Sequence, residues 1–266
     1  MIDTKPKPPF LLDAPQLDNY TLTEMLGESL QATVFKGYHK HAPEYPLVIK
    51  CLKLISSWDD QSRHLRQKIE RLKVLQDTRI CTPLALESNE DDSFIVQPWF
   101  NGQTLNHWAA QQQTSKLDDF FTLACALADT LQSVHDAGIT HGGVKPHNIL
   151  VQSGSLSLRL TDFITPLDIR DVSHFIYDPD FVRNTLAYTS PEQTGRITDR
   201  VYFSTDLYSL GIVFYELLTG HLPFFSHDPL ELIHSHLAEE AEKIHIIRPD
   251  IPRTLREPLI NPPITV

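Results

Sequence analysis

THGGVKPHNILV, residues 140–151, is the stretch on which the reading of this chain turns. Its apolar end, Ile149–Val151, reads with LRLTDF, residues 158–163, as two short strands. Gly142 and Gly143 follow His141 and stand just before a polar set, Lys145, His147 and Asn148. Glycine brings no side-chain group that titrates, donates or accepts. A loop so well furnished at 145–148 and so bare at 142–143 raises the question of what chemistry it keeps.

On both sides of that stretch the apolar spacing is helical. DDFFTLACALADTLQSVHDAG, residues 118–138, is a long amphipathic helix ending at Gly138, and STDLYSLGIVFYELLTG, residues 204–220, is a more thoroughly apolar one ending at Gly220. Upstream the period changes. YTLTEMLGESLQATVFKGYHK (20–40) and YPLVIKCLKL (45–54) are β-rich runs broken by a Gly turn and a Pro-bearing loop, a pattern that predicts an antiparallel sheet. CTPLALES (81–88) and SFIVQPWF (93–100) add two strand-like runs. Residues 59–76 place Leu65, Ile69, Leu72 and Leu75 at helical spacing, one helix crossing the sheet. Asn101 and Gly102 mark a turn or lobe boundary. The pattern predicts an α+β chain with a flexible lead at 1–17, a small antiparallel-sheet lobe at 18–100 and a larger, mainly helical lobe at 101–266, the cleft between the lobes being the default site.

Composition narrows the function. The 266 residues carry a net charge of -11, which disfavours attraction to nucleic acid or to an anionic membrane surface. Cys51, Cys81 and Cys125 are an odd, widely spaced set without CxxC pairing, which suits a reducing, cytoplasmic setting. The prolines of the first residues interrupt any signal-peptide core, and no run approaches a membrane-spanning length.

In order along the chain stand Gly27 with Val34, Lys50 in VIK, HGGVKPHN, Asp162 in TDFI, SPEQ around Glu192, and Asp206 in DLYSLG. This series resembles the motif set of eukaryotic-type Ser/Thr protein kinases from about residue 20 to residue 250. LAYTSPEQTGR and the sequence after it, through DPLELIHSHLA, resemble the kinase-like domain that opens multidomain sensor proteins, including hybrid histidine kinases. The resemblance implies a bilobal protein-kinase-like fold and the cofactors ATP and Mg²⁺. It assigns Lys50 to the α- and β-phosphates, Gly27 and Val34 to the nucleotide, and the linker residues Gln97, Pro98 and Phe100 to adenine. Asn148 and Asp162 would hold Mg²⁺, whose hardness suits oxygen ligands, and Lys145 would contact phosphate. His141, Glu192 and Asp206 would be structural: an inward-packed ring, a partner for an arginine of the closing helices, and a carboxylate on the backbone of the catalytic loop.

The chain departs from that family at several positions. Gly143 replaces the aspartate that accepts the substrate proton, a group typically worth about 10² to 10⁴ in rate. Gly142 replaces the arginine that contacts the activation segment. Ser29 and Ala32 replace glycines of the phosphate-covering loop, and Ile164 replaces the glycine after Phe163. Lys68 falls at the helix position of the glutamate that pairs with the phosphate lysine, and Glu70 is turned from that face by about 200°. The chain ends at LREPLINPPITV, before the usual closing helices, which leaves Glu192 without an evident partner. His135, His141, His147, His234 and His236 read as surface or core histidines. Tyr177, Thr185 and Thr189 are hydroxyls of the activation-segment region open to phosphorylation. The resulting expectation is a pseudokinase with a degraded active site, binding ATP and serving protein partners as a regulatory or scaffold module in sensor phosphorelay signalling, with no nucleic-acid or membrane ligand. An active Ser/Thr kinase relying on positioning and metal ions, and an interaction scaffold without nucleotide, are the alternatives.

Overall fold

Tyr20–Glu28 (β1), Ala32–His39 (β2) and Ala42–Leu52 (β3) form a meander, which Ala85–Ser88 (β4) and Ser93–Pro98 (β5) extend into one antiparallel sheet of order β1-β2-β3-β5-β4. The structure, a computed structural model, describes residues 17–29, 32–53, 58–88, 93–111, 116–163, 176–194 and 202–252. It divides into two compact units: residues up to Lys73 with Thr82–Phe100, and Val74–Cys81 with Asn101 onward.

In the first unit, side chains alternate between the two faces of the sheet. Phe35, Leu47, Ile49, Cys51, Phe94 and Val96 bury one face, and Leu17 closes over it at 5% exposure. Leu17, the last residue of the expected flexible lead, therefore belongs to the core; residues 1–16 lie outside the described residues. The expected Pro-bearing loop is also corrected. Pro43 and Pro46 lie inside β3, where proline is tolerated because β3 pairs with β5 only from Leu47 onward. A helix at Trp58–Val74 (α1) buries Leu65, Ile69 and Leu72. Arg66 Nη1 donates to the Leu86 carbonyl at 3.0 Å and fastens that helix to β4.

The second unit is built on helices at Leu105–Ala110 (α2), Leu117–Asp136 (α3), Pro179–Asn184 (α4), Phe203–Thr219 (α5), Pro229–Ala238 (α6) and Ile244–Ile247 (α7). Three short strands, Gln103–Thr104 (β6), Ile149–Val151 (β7) and Leu158–Leu160 (β8), pair antiparallel in the order β6-β7-β8. Helix α3 buries Leu123, Leu127, Leu131 and Val134 along a helical stripe. Helix α5 is buried from Ser209 through Val213 and stops at Gly220, whose φ of 77° is the left-handed cap that glycine adopts freely. The 74–81 segment joins this unit through β8: Leu160 N–H donates to Arg79 O at 2.7 Å and Cys81 N–H to Leu160 O at 2.9 Å.

His236 on α6 is a core residue, while His234 of the same pair is exposed; His236 has Nδ1 2.9 Å from the Tyr208 hydroxyl and the Phe224 ring edge-on at 5.2 Å. Burial pushes its pKa down from an ordinary 6.5 to about 4. The unfolded chain takes up this proton first, so the contribution of His236 is complete above pH 6.5 and is lost as pH falls through about 4. The shift corresponds to about 3 kcal/mol. Urea midpoints measured between pH 7.5 and 4.5 should fall with pH, and His236→Gln should flatten that fall. An unchanged slope in the variant would assign the acid sensitivity elsewhere.

Candidate functional site

The 141–148 loop is held from below by one carboxylate. Asp206, in the first turn of α5, has no exposed surface. Its Oδ1 accepts the Gly142 N–H at 2.7 Å, and its Oδ2 accepts the His141 N–H at 2.8 Å and lies 2.8 Å from His135 Nε2. His135 in turn stacks on Phe203 with ring centroids 4.5 Å apart. A residue read from sequence only as a surface or core histidine is thus part of the clamp that positions the loop. Its signal was weak, a histidine at the end of a helix.

His141 packs inward, as the resemblance implied. Its Nδ1 accepts the Gly143 N–H at 3.1 Å, so the ring proton sits on Nε2, which donates to Thr161 O at 2.9 Å. The Phe163 ring is buried against it at 4.5 Å. With both nitrogens engaged, His141 is not placed to serve as a base.

Gly142 adopts φ 78°, while Gly143 lies outside the left-handed region. A Cβ at Gly143 would meet nothing closer than Asn148 Nδ2 at 3.7 Å and His141 Nδ1 at 3.8 Å. A Cβ thus fits at the position where no side chain is present. Asn148 Nδ2 donates to Gly143 O at 2.8 Å, so the donor end of this buried amide is spent on the loop and its oxygen is the atom a cation would take. Asn148 O accepts the Thr161 N–H at 2.9 Å, which sets Asn148 beside Asp162 across the β7–β8 pair. Asp162 is at φ 70°, an uncommon conformation outside glycine that concentrates at functional sites. Two oxygen side chains fit a magnesium ion that completes its shell with phosphate oxygens and water. Among the described residues no cluster of three or more His, Cys, Asp or Glu is arranged for a metal, which excludes from them a protein-only cage of that kind.

Beyond the glycines, Lys145 Nζ donates to Thr185 Oγ1 at 2.8 Å. His147 lies with Nε2 3.2 Å from Asn106 Nδ2, and burial, then the cationic Lys145 and Arg183, hold its pKa below the usual histidine range. It is neutral near pH 7, yet its Nδ1 is enclosed without a hydrogen-bond partner among the described residues, as is Asn106 Oδ1. The expected phosphorylation sites separate. Thr185 is engaged by Lys145, Thr189 is buried and donates to Thr185 O at 3.1 Å, and only Tyr177 of the three is well exposed, at 70%.

Glu192 corrects another expectation. It has partners within α5: Thr205 Oγ1 donates to its Oε1 at 2.7 Å and Ser204 Oγ at 3.3 Å. Nearby, Ser209 Oγ donates to Tyr188 O at 2.8 Å, and the Tyr188 hydroxyl donates to Glu216 Oε2 at 2.7 Å. Burial raises the Glu216 carboxyl, with Tyr188 and Arg183 opposing the shift. Gln193, unassigned from sequence although it stands in SPEQ, reaches the glycine loop: its Nε2 donates to Gly142 O at 2.9 Å.

The first unit places its own residues as follows. Gly27 pairs with Val34 across the β1–β2 hairpin, and Lys50 lies in register between Val34 and Ile95, so these three share a sheet face. At the hairpin tip Ser29 N–H donates to Ala32 O at 2.8 Å and Ala32 N–H to Ser29 Oγ at 3.2 Å, so that two positions expected as glycines close on each other. Gln97 and Pro98 end β5 opposite Val48 and Leu47, and Phe100 follows. Glu70 pairs with Lys73 at 2.8 Å on the exposed side of α1, and Lys68 lies two residues earlier on the same helix. Ile164 lies outside the described residues.

Comparison with known proteins agrees with this geometry. A probable serine/threonine-protein kinase of Clostridium perfringens is 28% identical over 244 residues, 90% of this chain and 34% of the relative. Serine/threonine-protein kinase ULK3 of Rattus norvegicus is 30% identical over 225 residues, 82% of this chain and 45% of the relative. The chain therefore spans about a third to a half of the length of these curated relatives. Among solved structures, a double-mutant form of the PknI kinase domain of Mycobacterium tuberculosis superposes with a TM-score of 0.69 at 20% identity, covering 89% of this chain and 84% of that one. Rad53 in complex with AMP-PNP matches at a TM-score of 0.63 and 24% identity, covering 81% of this chain and 52% of that one. The antiparallel-sheet unit with its helix α1 and the helical unit are those of the kinase fold, whose members use ATP and Mg²⁺. The family model of the protein kinase domain matches residues 20–259, and the chain belongs to that family.

Proposed function

We propose that this chain is a nucleotide-binding kinase domain impaired in phosphoryl transfer, serving as a regulatory or scaffold module in a sensor signalling pathway such as a phosphorelay. One observation carries the reading. The 141–148 loop is fastened by Asp206, His141 and Asn148, yet Gly143 offers no proton acceptor at a position where a Cβ fits. The neighbouring histidines do not supply it, since His141 has both nitrogens engaged and His147 has one nitrogen on Asn106 and the other enclosed. Nucleotide binding is supported by the oxygen pair Asn148 and Asp162 and by Lys50, the phosphate-contacting lysine of the resemblance. The signalling role rests on the likeness of the SPEQ region to the kinase-like domain of multidomain sensor proteins.

A second reading, an active Ser/Thr kinase, is favoured by the Lys145–Thr185 bond and the metal pair, because a loose phosphoryl transition state needs positioning and charge more than a base. A melting experiment with ATP and Mg²⁺, paired with transfer of radiolabelled phosphate to a protein acceptor, separates the readings. At about a hundred times Kd, a ligand of the native state stabilises by about 2.7 kcal/mol. The wild type should show a clear upward shift in Tm. Asp162→Asn, a residue tolerated at positive φ, and Lys50→Ala should lose most of it, with label transfer by the wild type close to background. A flat response from a cooperatively folded wild type would leave an interaction scaffold, and strong Mg²⁺-dependent transfer would establish the active kinase.

A further inference from the structure

We propose that Gln193 is a positioning residue that binds the activation segment to the glycine loop without any phosphorylated side chain. The two groups are 51 residues apart in sequence, and Gln193 is only 6% exposed. Its Nε2 donates to Gly142 O at 2.9 Å, while its Oε1 accepts the Ser190 N–H at 3.1 Å and the Ser190 hydroxyl at 3.3 Å. A carbonyl must be met by the NH₂ end and an N–H by the oxygen, so these partners fix the orientation of the amide. Glutamate, the side chain of the same length, offers a donor only when protonated, whereas the amide carries donor and acceptor at any pH.

Gly142 has no side chain that a phosphate on the segment would pair with. The contact from Gln193 goes instead to the Gly142 backbone, at the residue whose N–H is already held by Asp206. The loop peptide is thereby gripped at its N–H from α5 and at its carbonyl from the segment. Other ties run in parallel: Lys145 to Thr185, Thr205 to Glu192, and Ser209 to Tyr188 O. Ser190 is wholly buried and Thr189 nearly so, and both hydroxyls are engaged internally, so a phosphate on either would break the arrangement rather than create it. The inference goes beyond the nucleotide-binding reading and stands or falls without it.

Hydrogen exchange on the whole chain, without nucleotide, tests it. Gln193→Met keeps the size and removes all three bonds; exchange of the amides at 141–144 should accelerate about tenfold, with α3 and α5 unchanged. Gln193→Glu keeps the acceptor for Ser190 and, when its carboxyl is protonated, can donate to Gly142 O. Its protection, corrected for intrinsic exchange and referred to wild type at each pH, should be near normal at about pH 4, where a glutamate is largely protonated, and reduced at about pH 8.5. The same pH series serves if the methionine variant does not fold. Wild type treated with phosphatase, its loss of phosphate verified by mass, should keep full protection. The proposal is overturned by unchanged exchange at 141–144 in Gln193→Met, by pH-independent protection in Gln193→Glu, or by phosphatase treatment that loosens the wild-type loop.

Discussion

Replacing Gly143 with aspartate is expected to raise the rate of phosphate transfer from ATP and Mg²⁺ to a protein acceptor by about 10²-fold or more. That factor is about 2.7 kcal/mol of transition-state stabilisation. The backbone at 143 is outside the left-handed region, and the nearest atoms to a new Cβ are 3.7 Å away, so a Cβ enters there without conformational strain or a close contact. It also enters a finished frame, because the N–H of residue 143 is held by His141 and its carbonyl by Asn148. Gly143→Asn is the control: it has the same shape and no basic oxygen. An aspartate variant that transfers label no faster than the asparagine variant would mean that the missing base is not what limits this domain. Gly142→Arg is not the equivalent experiment, since a φ of 78° strains any residue with a Cβ.

Much of this frame could be read in the sequence because it is written in local periodicity. The helices α1, α3 and α5 follow the 3.6-residue spacing of Leu65, Ile69 and Leu72 or of Leu123, Leu127 and Leu131, and β7 and β8 are the apolar runs beside Asn148 and Asp162. His141, Asn148, Asp162 and Asp206 were legible because they sit inside ordered motifs. What escaped is what depends on partners far along the chain. The Gln193 amide meets Gly142 across 51 residues, and His135 meets Asp206 across 71, neither with any periodic mark. Glu192 was expected to need an arginine; the hydroxyls at the start of α5, Ser204 and Thr205, take that place, and a sequence pattern does not distinguish a solvent-facing hydroxyl from a donor to a carboxylate. Pro43 and Pro46 misled for a related reason, because whether a proline breaks a strand depends on whether a neighbour needs its N–H.

The largest loss of stability is expected from Asp206→Ala, about 3 to 5 kcal/mol in urea unfolding. The removed carboxylate accepts the N–H groups of His141 and Gly142 and faces His135, and Asp206 and His141 are both buried. Alanine leaves two backbone donors without acceptors in a site closed to water, each costing about 1 to 3 kcal/mol. Against a total of about 5 to 15 kcal/mol for a typical domain, such a variant is close to the threshold for folding. Asp206→Asn should lose less, because one amide oxygen still accepts one of the two N–H groups while the NH₂ end opposes the other. His135→Gln should lose least, since it leaves the backbone donors satisfied. A loss below about 1 kcal/mol in Asp206→Ala would refute the central place given to this carboxylate. The predicted order also bears on why Asp206 coexists with Gly143: its bonds to the loop go to peptide N–H groups, which every residue type except proline supplies, so the loop stays built whether or not a base stands on it.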